Sequence, residues 1–255
     1  MPLELVTVPC LADNYAYLIH DADTGQTAVI DAPEPGPILG ALNAHQWRLT
    51  DILITHHHDD HIQGVDTLRA QTGAMVLGAA ADTHRLPRLD LALDEASSFS
   101  VGREFARVIA VPGHTIGHIA FHFPESRLLF TADSLMAGGC GRLFEGIAQQ
   151  MHNSLQKLAA LPPDTLVCSG HEYTASNLRF AATLEPDNPK LISRSAEVAA
   201  SRARGQPTVP VPLQVELDTN PYLRVHLPAI KAAVGLPDAD DVTVFAEIRA
   251  RKDKF

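Results

Sequence analysis

Thr55-His56-His57-His58-Asp59-Asp60-His61 is the stretch on which the fold turns. It follows Asp51–Thr55 (DILIT), a short apolar run that reads as a β-strand. Side chains in an extended segment alternate sides. His56 and His58 then project together, Asp60 shares their parity, and His57 and Asp59 point the other way. His61 lies at the turn into the next helix and swings back to the same side. The spacing H-x-H-x-D-H gathers three imidazoles and one carboxylate at one strand end. Nitrogen and oxygen donors of this kind suit Zn²⁺, Fe²⁺ or Mn²⁺.

Three more donors sit at strand ends. His114 follows a strand in Val111-Pro112-Gly113-His114-Thr115, Asp133 ends Leu128–Asp133, and His171 follows Leu166–Gly170. Each stands beside glycine or another small residue. Together the donors exceed the four that one structural zinc takes, and they lack the thiolates of most closed sites. They fit two adjacent ions sharing one carboxylate and one water.

Further apolar runs read as strands at Thr27–Asp31, Met75–Gly78, Phe105–Pro112 and Ile119–Pro124. Helical patterns fall between them at Pro37–Leu42, Gln63–Gln71 and Asn153–Ala160. Interleaved strands and helices predict a mixed α/β sandwich. After His171 the pattern becomes helical, at Ala175–Leu184, Pro189–Arg204, Leu227–Val234 and Val242–Lys252, with proline-rich joints including Pro207 to Pro212. A boundary is expected near residue 172.

The 255 residues carry a formal charge of −10, with 45% hydrophobic and 20% charged residues. This composition excludes a disordered or fibrous chain. The acidic balance argues against a nucleic-acid binder, whose footprint is basic. No uncharged apolar run reaches the ~18 residues of a membrane helix. Cys10, Cys140 and Cys168 are too scattered for a disulfide framework and suit a reducing compartment. Met1-Pro2-Leu3-Glu4 lacks the start of a signal peptide. A cytoplasmic monomer without a nucleic-acid or membrane partner is expected.

Several segments together resemble one family: Thr55-His56-His57-His58, Gly113-His114-Thr115-x-Gly117-His118, Thr131-Ala132-Asp133-Ser134-Leu135, Gly139-Cys140-Gly141-Arg142-Leu143-Phe144-Glu145-Gly146 and Gly170-His171-Glu172-Tyr173-Thr174. They look like glyoxalase II, the hydroxyacylglutathione hydrolases of the metallo-β-lactamase superfamily. Asp13-Asn14-Tyr15 and Arg249-x-x-Lys252-Asp253-x-Phe255 fit the same family, so the resemblance spans essentially the whole chain. It implies a four-layer αβ/βα sandwich with the metals at one edge, followed by a small helical C-terminal domain. Residues 1–172 would bind metal and residues 173–255 substrate.

The resemblance further implies that His56, His58 and His114 hold one divalent ion. Asp60, His61 and His171 would hold a second, and Asp133 would bridge them. Zinc is the first expectation, with iron or manganese as alternatives. The substrate would be a glutathione thioester, S-D-lactoylglutathione above all, in the second step of methylglyoxal detoxification. Arg142, Phe144, Tyr173, Arg249 and Lys252 fall where the family contacts glutathione. Arg142 stands where the family usually has Lys, and Phe144 where it has Tyr. Arginine keeps the charge in a different geometry, and Phe144 has no hydroxyl. Asp31-Ala32-Pro33 replaces the commoner Asp-Pro-Gly, a difference assigned to the loop and not to the chemistry.

A metal-bridged hydroxide is expected to attack the thioester carbon, because a catalytic zinc lowers the pKa of water from 15.7 to about 7. Asp60 would take a proton from the attacking water. Glutathione is a net anion, and Arg249 and Lys252, spaced i and i+3, share one helix face that could meet it. Cys140 reads as part of a tight turn, Cys10 and Cys168 as packed thiols, and His57 and His118 as neighbours of the ligands. Rival readings are a persulfide dioxygenase or lactonase of the superfamily, a nuclease, and a closed metal-binding module without catalysis. The helical stretch Ala175–Phe255 speaks against the first two enzymes, whose kind commonly lack it.

Overall fold

The computed structural model describes residues 2–255. Contacts divide the chain into two compact units. One comprises residues up to Ala110 with Gly117–Ala132, and the other Val111–Ile116 with Asp133–Phe255. The units interleave along the sequence.

The first unit begins with β1 (Glu4–Cys10), β2 (Asn14–Asp21) and β3 (Gln26–Ile30), an antiparallel meander in register Glu4↔His20 and Tyr17↔Ile30. The chain then alternates α1 (Pro35–His45), β4 (Asp51–Leu53), α2 (Asp59–Ile62), α3 (Val65–Thr72), β5 (Met75–Ala79) and β6 (Leu91–Leu93). Strands β3 to β6 pair in parallel. Parallel strands need crossovers, and α1 and α3 supply them. Such strands lose both faces to packing and read as unbroken apolar runs, which is why TAVID, DILIT and MVLG stood out. β2 is buried at every position yet mixes Asn, Tyr and His into its run, and β1 is half-exposed, so neither carried that signal. Gly73 ends α3 with φ +73°, its N–H returning to the Arg69 carbonyl.

The unit continues with β7 (Phe99–Val101), β8 (Glu104–Ala110), β9 (Ile119–Phe123) and β10 (Leu128–Ala132), all antiparallel. Their core is aromatic. Phe99 meets Phe121 and Phe123 edge to face at 5.8 and 6.4 Å, and Phe130 meets Phe123 at 6.0 Å and Tyr17 at 5.6 Å. Each such ring contributes about 1.5–3 kcal/mol by leaving water.

The second unit holds the hairpin β11 (Leu135–Met136) and β12 (Gly139–Cys140), then α4 (Ala148–Ala159) and β13 (Leu166–Ser169). The helical region follows as α5 (Thr174–Leu184), α6 (Pro189–Ala203), β14 (Val211–Pro212), α7 (Leu213–Thr219), α8 (Pro228–Ala233) and α9 (Asp241–Lys252). Asn188 caps α6, its side chain accepting from the Lys190 and Leu191 amides, with Pro189 in the first turn. Leu178 and Ala181 of α5 pack on Leu191 and Val198 of α6. The proline-rich joint contains a short strand, since Val211 pairs with Val167. Helix α7 had no sequence signal of its own, being short and bounded by proline.

One buried ion pair organises this unit. Glu216 of α7 is fully buried against Arg194 of α6, and Arg194 also donates to Thr219 Oγ1 at 2.6 Å. The other carboxylate oxygen of Glu216 accepts from the Gly138 amide at 2.8 Å and from Asn220 Nδ2 at 3.0 Å. Asn220 donates onward to the Gly139 carbonyl at 2.9 Å. The hairpin turn is thus tied to α7. Gly138 turns with φ +68°, and a Cβ there would lie 2.7 Å from Leu178 Cδ2. Replacing Glu216 with Ala would leave Arg194 buried and unpaired, a loss of about 3–5 kcal/mol. Thermal unfolding followed by circular dichroism should show a strongly lowered Tm.

Candidate metal centre

In the first unit the donors start where β4 leaves its ladder. His56 Nε2 lies 3.2 Å from His58 Nδ1. Two nitrogens bound at zinc distance in a tetrahedron stand about 3.3 Å apart, so this spacing fits one ion. The alternation argument holds for His56 and His58 but not for Asp60. Helix α2 begins at Asp59, with His58 as its N-cap, so Asp60 arrives from a helical turn and not from an extended segment. Its Oδ2 lies 3.8 Å from His61 Nε2. Asn14 Nδ2 holds it, donating to Asp60 Oδ2 and to the Asp60 carbonyl, each at 3.0 Å.

Asp31 is the residue that the sequence reading left out of the chemistry. It follows β3 directly at φ +57°, a conformation that Asp tolerates better than most residues. Its buried carboxylate accepts from the Thr55 amide at 2.9 Å, the Thr55 hydroxyl at 2.8 Å and His61 Nδ1 at 2.8 Å. Thr55 has one hydroxyl proton and gives it to Asp31, so it accepts from His56 Nδ1 at 3.0 Å. Both His56 and His61 therefore carry their proton on Nδ1 and present Nε2 as a lone-pair donor. Asp31, His56 and His61 also form a group of donor atoms lying within 4.8 Å of one another. The available signal was position: a carboxylate at the end of a strand adjacent to β4.

In the second unit Asp133 Oδ2 lies 3.5 Å from His114 Nε2 and 3.3 Å from His171 Nε2. All three residues are buried. His114 Nδ1 donates to the Arg142 carbonyl at 2.8 Å, which again leaves Nε2 to face the carboxylate. Gly141 makes this possible, because a Cβ there would lie 2.0 Å from the Asp133 carbonyl and 2.9 Å from His114 Nδ1. Ala132, immediately before Asp133, holds φ at +40°. Such a conformation costs a residue with a side chain about 1–3 kcal/mol. In each unit imidazole and carboxylate atoms stand at ligand spacing with the imidazole tautomers preset, and this donor set fits divalent ions.

The residues expected at glutathione lie in the second unit. Tyr173 stacks on His171, ring centroids 4.7 Å apart and 6° from parallel. Phe144 meets His114 edge-on at 5.2 Å and is 62% exposed. Arg142 is exposed, its Nε 3.8 Å from Asp253. Arg249 and Lys252 have different surroundings. Arg249 is buried, donating to the Cys140 carbonyl at 2.9 Å and to Asp253 Oδ1 at 2.8 Å, with its guanidinium over the Tyr222 ring. Lys252 is half-buried above the Phe180 and Phe255 rings, its ammonium 3.3 Å from Ser176 Oγ. Burial, and then Arg249, Arg179 and Arg142, push its pKa down. Cys140 ends strand β12 of the hairpin, just past the turn at Gly138, and burial raises its thiol to about 11. His118 stacks on His56 at 4.6 Å.

Comparison with known proteins agrees with this chemistry. Residues 12–171 match the metallo-beta-lactamase superfamily, and residues 172–255 match the family described as hydroxyacylglutathione hydrolase C-terminus. A protein of Cereibacter sphaeroides named hydroxyacylglutathione hydrolase is 66% identical over 255 residues, covering 100% of both chains. The BLEG-1 B3 metallo-beta-lactamase superposes with a TM-score of 0.67 at 21% identity, covering 86% of this chain and 99% of its own. TTHA1623, solved in a di-iron-bound form, gives a TM-score of 0.56 at 29% identity, covering 66% of this chain and 91% of its own. The expected α/β class is borne out, with its two sheets and its helical C-terminal region. No helix among the described residues is long and apolar enough to cross a membrane. Imidazoles aimed by buried acceptors, on a metallo-β-lactamase fold that ends in the matched helical region, go with near-identity of length to its relatives: this chain belongs to the hydroxyacylglutathione hydrolase family, the glyoxalase II thioester hydrolases.

Proposed function

We propose that the chain hydrolyses S-(2-hydroxyacyl)glutathione thioesters, converting S-D-lactoylglutathione to D-lactate and glutathione, the second step of methylglyoxal detoxification. It does so with two divalent ions. His56, His58 and His114 would hold one, Asp60, His61 and His171 the other, and Asp133 would be shared. The observation that carries the reading is the presetting of tautomers: Asp31, Thr55 and the Arg142 carbonyl leave Nε2 of His56, His61 and His114 as the lone-pair atom. Donor spacing inside each unit supports the reading, His56 Nε2 lying 3.2 Å from His58 Nδ1 and His171 Nε2 3.3 Å from Asp133 Oδ2. Zinc is the first candidate for this donor set. Iron is the second, since the di-iron-bound neighbour shares the scaffold.

Divalent ions bound there supply a lowered pKa for water and polarisation of the thioester carbonyl. The chain does the rest. Asn14 holds the Asp60 carboxylate at one oxygen, and the side chain is 42% exposed, which supports Asp60 as the group that would take the proton released as water attacks. The leaving group is a thiolate, which departs without an acid. Cys140 is no nucleophile, being a buried neutral thiol. We assign residues 1–172 to metal binding and residues 173–255 to substrate. Three buried thiols suit a reducing compartment, and we place the enzyme in the cytoplasm as a monomer.

Glutathione carries two carboxylates and one ammonium. Arg142, Phe144, Tyr173, Arg249 and Lys252 form its contact surface in this reading. The Lys252 pKa, depressed by burial and then by Arg249, Arg179 and Arg142, supports it, because an anion relieves buried, crowded cations. Arg142 and Tyr173 would reach the ligand from exposed positions and Phe144 would offer an apolar ring. Arg249 would act from beneath, adding charge while holding the Cys140 carbonyl of β12.

Three outcomes check this account. Purified protein of measured metal content should release thiol from S-D-lactoylglutathione, and Asp133→Ala should abolish that turnover and lower bound metal. An Asp133→Ala enzyme of full activity would remove the shared carboxylate. Asp31→Ala should weaken metal binding about ten- to a hundredfold in chelator competition, as loss of a group orienting a ligand does. Lys252→Ala should raise KM with Tm unchanged, whereas Arg249→Ala should also lower Tm, because it strips the buried Cys140 carbonyl of its donor, a loss of about 1–3 kcal/mol.

A further inference from the structure

Asp82 stands outside the proposed ligand set. It ends the 3-10 turn Ala80–Asp82 that follows β5, and its side chain is 2% exposed. A buried carboxylate is costly unless paired, and its pairs all lead to one place. Arg85 donates to Asp82 Oδ1 from Nη2 at 2.6 Å and from Nε at 3.2 Å. Nη1 of the same guanidinium donates to His57 Nε2 at 3.2 Å. Asp82 Oδ2 lies 3.3 Å from His57 Nδ1. A guanidinium only donates, so His57 Nε2 accepts and the ring proton sits on Nδ1, facing Asp82. Arg85 holds the His57 ring at Nε2, and the ring turns its Nδ1 toward the Asp82 carboxylate.

Gly117 completes the enclosure. A Cβ there would lie 2.2 Å from Asp82 Cγ, so the backbone reaches this position only without a side chain. The next residue, His118, is the ring stacked on His56, 10° from parallel. His57 itself separates His56 from His58 and turns to the opposite side, where it meets Asp82 while they meet each other. The His58 ring touches His57 edge-on at 4.9 Å. Anchoring the middle residue of three in an extended segment sets the backbone torsions that aim both neighbours.

We infer that Asp82 is a positioning residue: through His57 and Arg85 it aims His56 and His58 at a common ion. The inference rests on the reading of His56 and His58 as ligands. Zinc titration of the full chain under chelator competition, with KM measured alongside, tests it. Asp82→Ala should weaken one of two bound ions at least tenfold, leaving the other ion and the KM for lactoylglutathione unchanged. Asp82→Asn, which keeps the shape and loses the charge, should do the same to a lesser degree, and it carries the test if the alanine variant fails to fold. His57→Phe should reproduce the selective loss. A merely structural role would lower Tm and leave both affinities intact in the folded variants. That result, or equal weakening of both ions, overturns the inference. Failure of the underlying metal reading would appear earlier and separately, as wild-type protein that binds no zinc.

Discussion

A neutral imidazole has one lone pair to give, and the partner of its other nitrogen decides which atom gives it. In the first unit that decision belongs to the Asp31 carboxylate. It takes the His61 proton directly and fixes the His56 proton through the Thr55 hydroxyl. The same carboxylate accepts from the Thr55 backbone, so it also fixes where β4 ends. The turn after β3 is stitched to α2 as well, because the Ala32 amide donates to the His61 carbonyl and the Gly64 amide to the Ala32 carbonyl. Orientation of the donors and termination of the strand are one constraint, exerted by one buried acid.

The second unit solves its version of the problem with backbone. The Arg142 carbonyl sets the His114 tautomer, and its place depends on the hairpin β11–β12 that precedes it. That hairpin is held from outside. Glu216 takes the Gly138 amide, Asn220 donates to the Gly139 carbonyl, and Asn177 donates to the Ala137 carbonyl at 3.0 Å. These three residues come from α7, the turn after it and α5. The helical region therefore does more than offer side chains to a substrate, since it fixes the loop on which a proposed ligand depends. A buried ion pair is a poor source of net stability, but here it fastens backbone groups that would otherwise lack partners.

Charge explains the remaining design. A chain at −10 must collect its cations locally to receive an anionic thiol ester. Burial, and then the nearby Arg249, Arg179 and Arg142, depress the lysine. Asp253 partly balances them, taking Arg249 firmly and Arg142 at longer range. Phe180 and Phe255 shelter the ammonium from solvent.

The proposed ligand residues were legible in the sequence because metal chemistry restricts residue type and strand ends restrict position: the H-x-H-x-D-H spacing, His114, Asp133 and His171 each announce themselves. Parallel strands β3, β4 and β5 were legible because burial on two faces leaves a mainly apolar run, whereas β6, exposed at Leu91 and Ala92, was not. Asp31, Asn14 and Asp82 were not. Each acts across a gap in sequence, on His61, Asp60 and His57 respectively, and an isolated acid or amide carries no mark of its partner. Residue type and local spacing could establish which atoms are able to bind and roughly where strands and helices lie. Which nitrogen faces inward, that Asp60 comes from a helical turn, and that Arg249 is buried while Lys252 is only half-covered were decided by tertiary packing. Hydrogen-bond direction and solvent exclusion are properties of neighbours in space and not of neighbours in the chain.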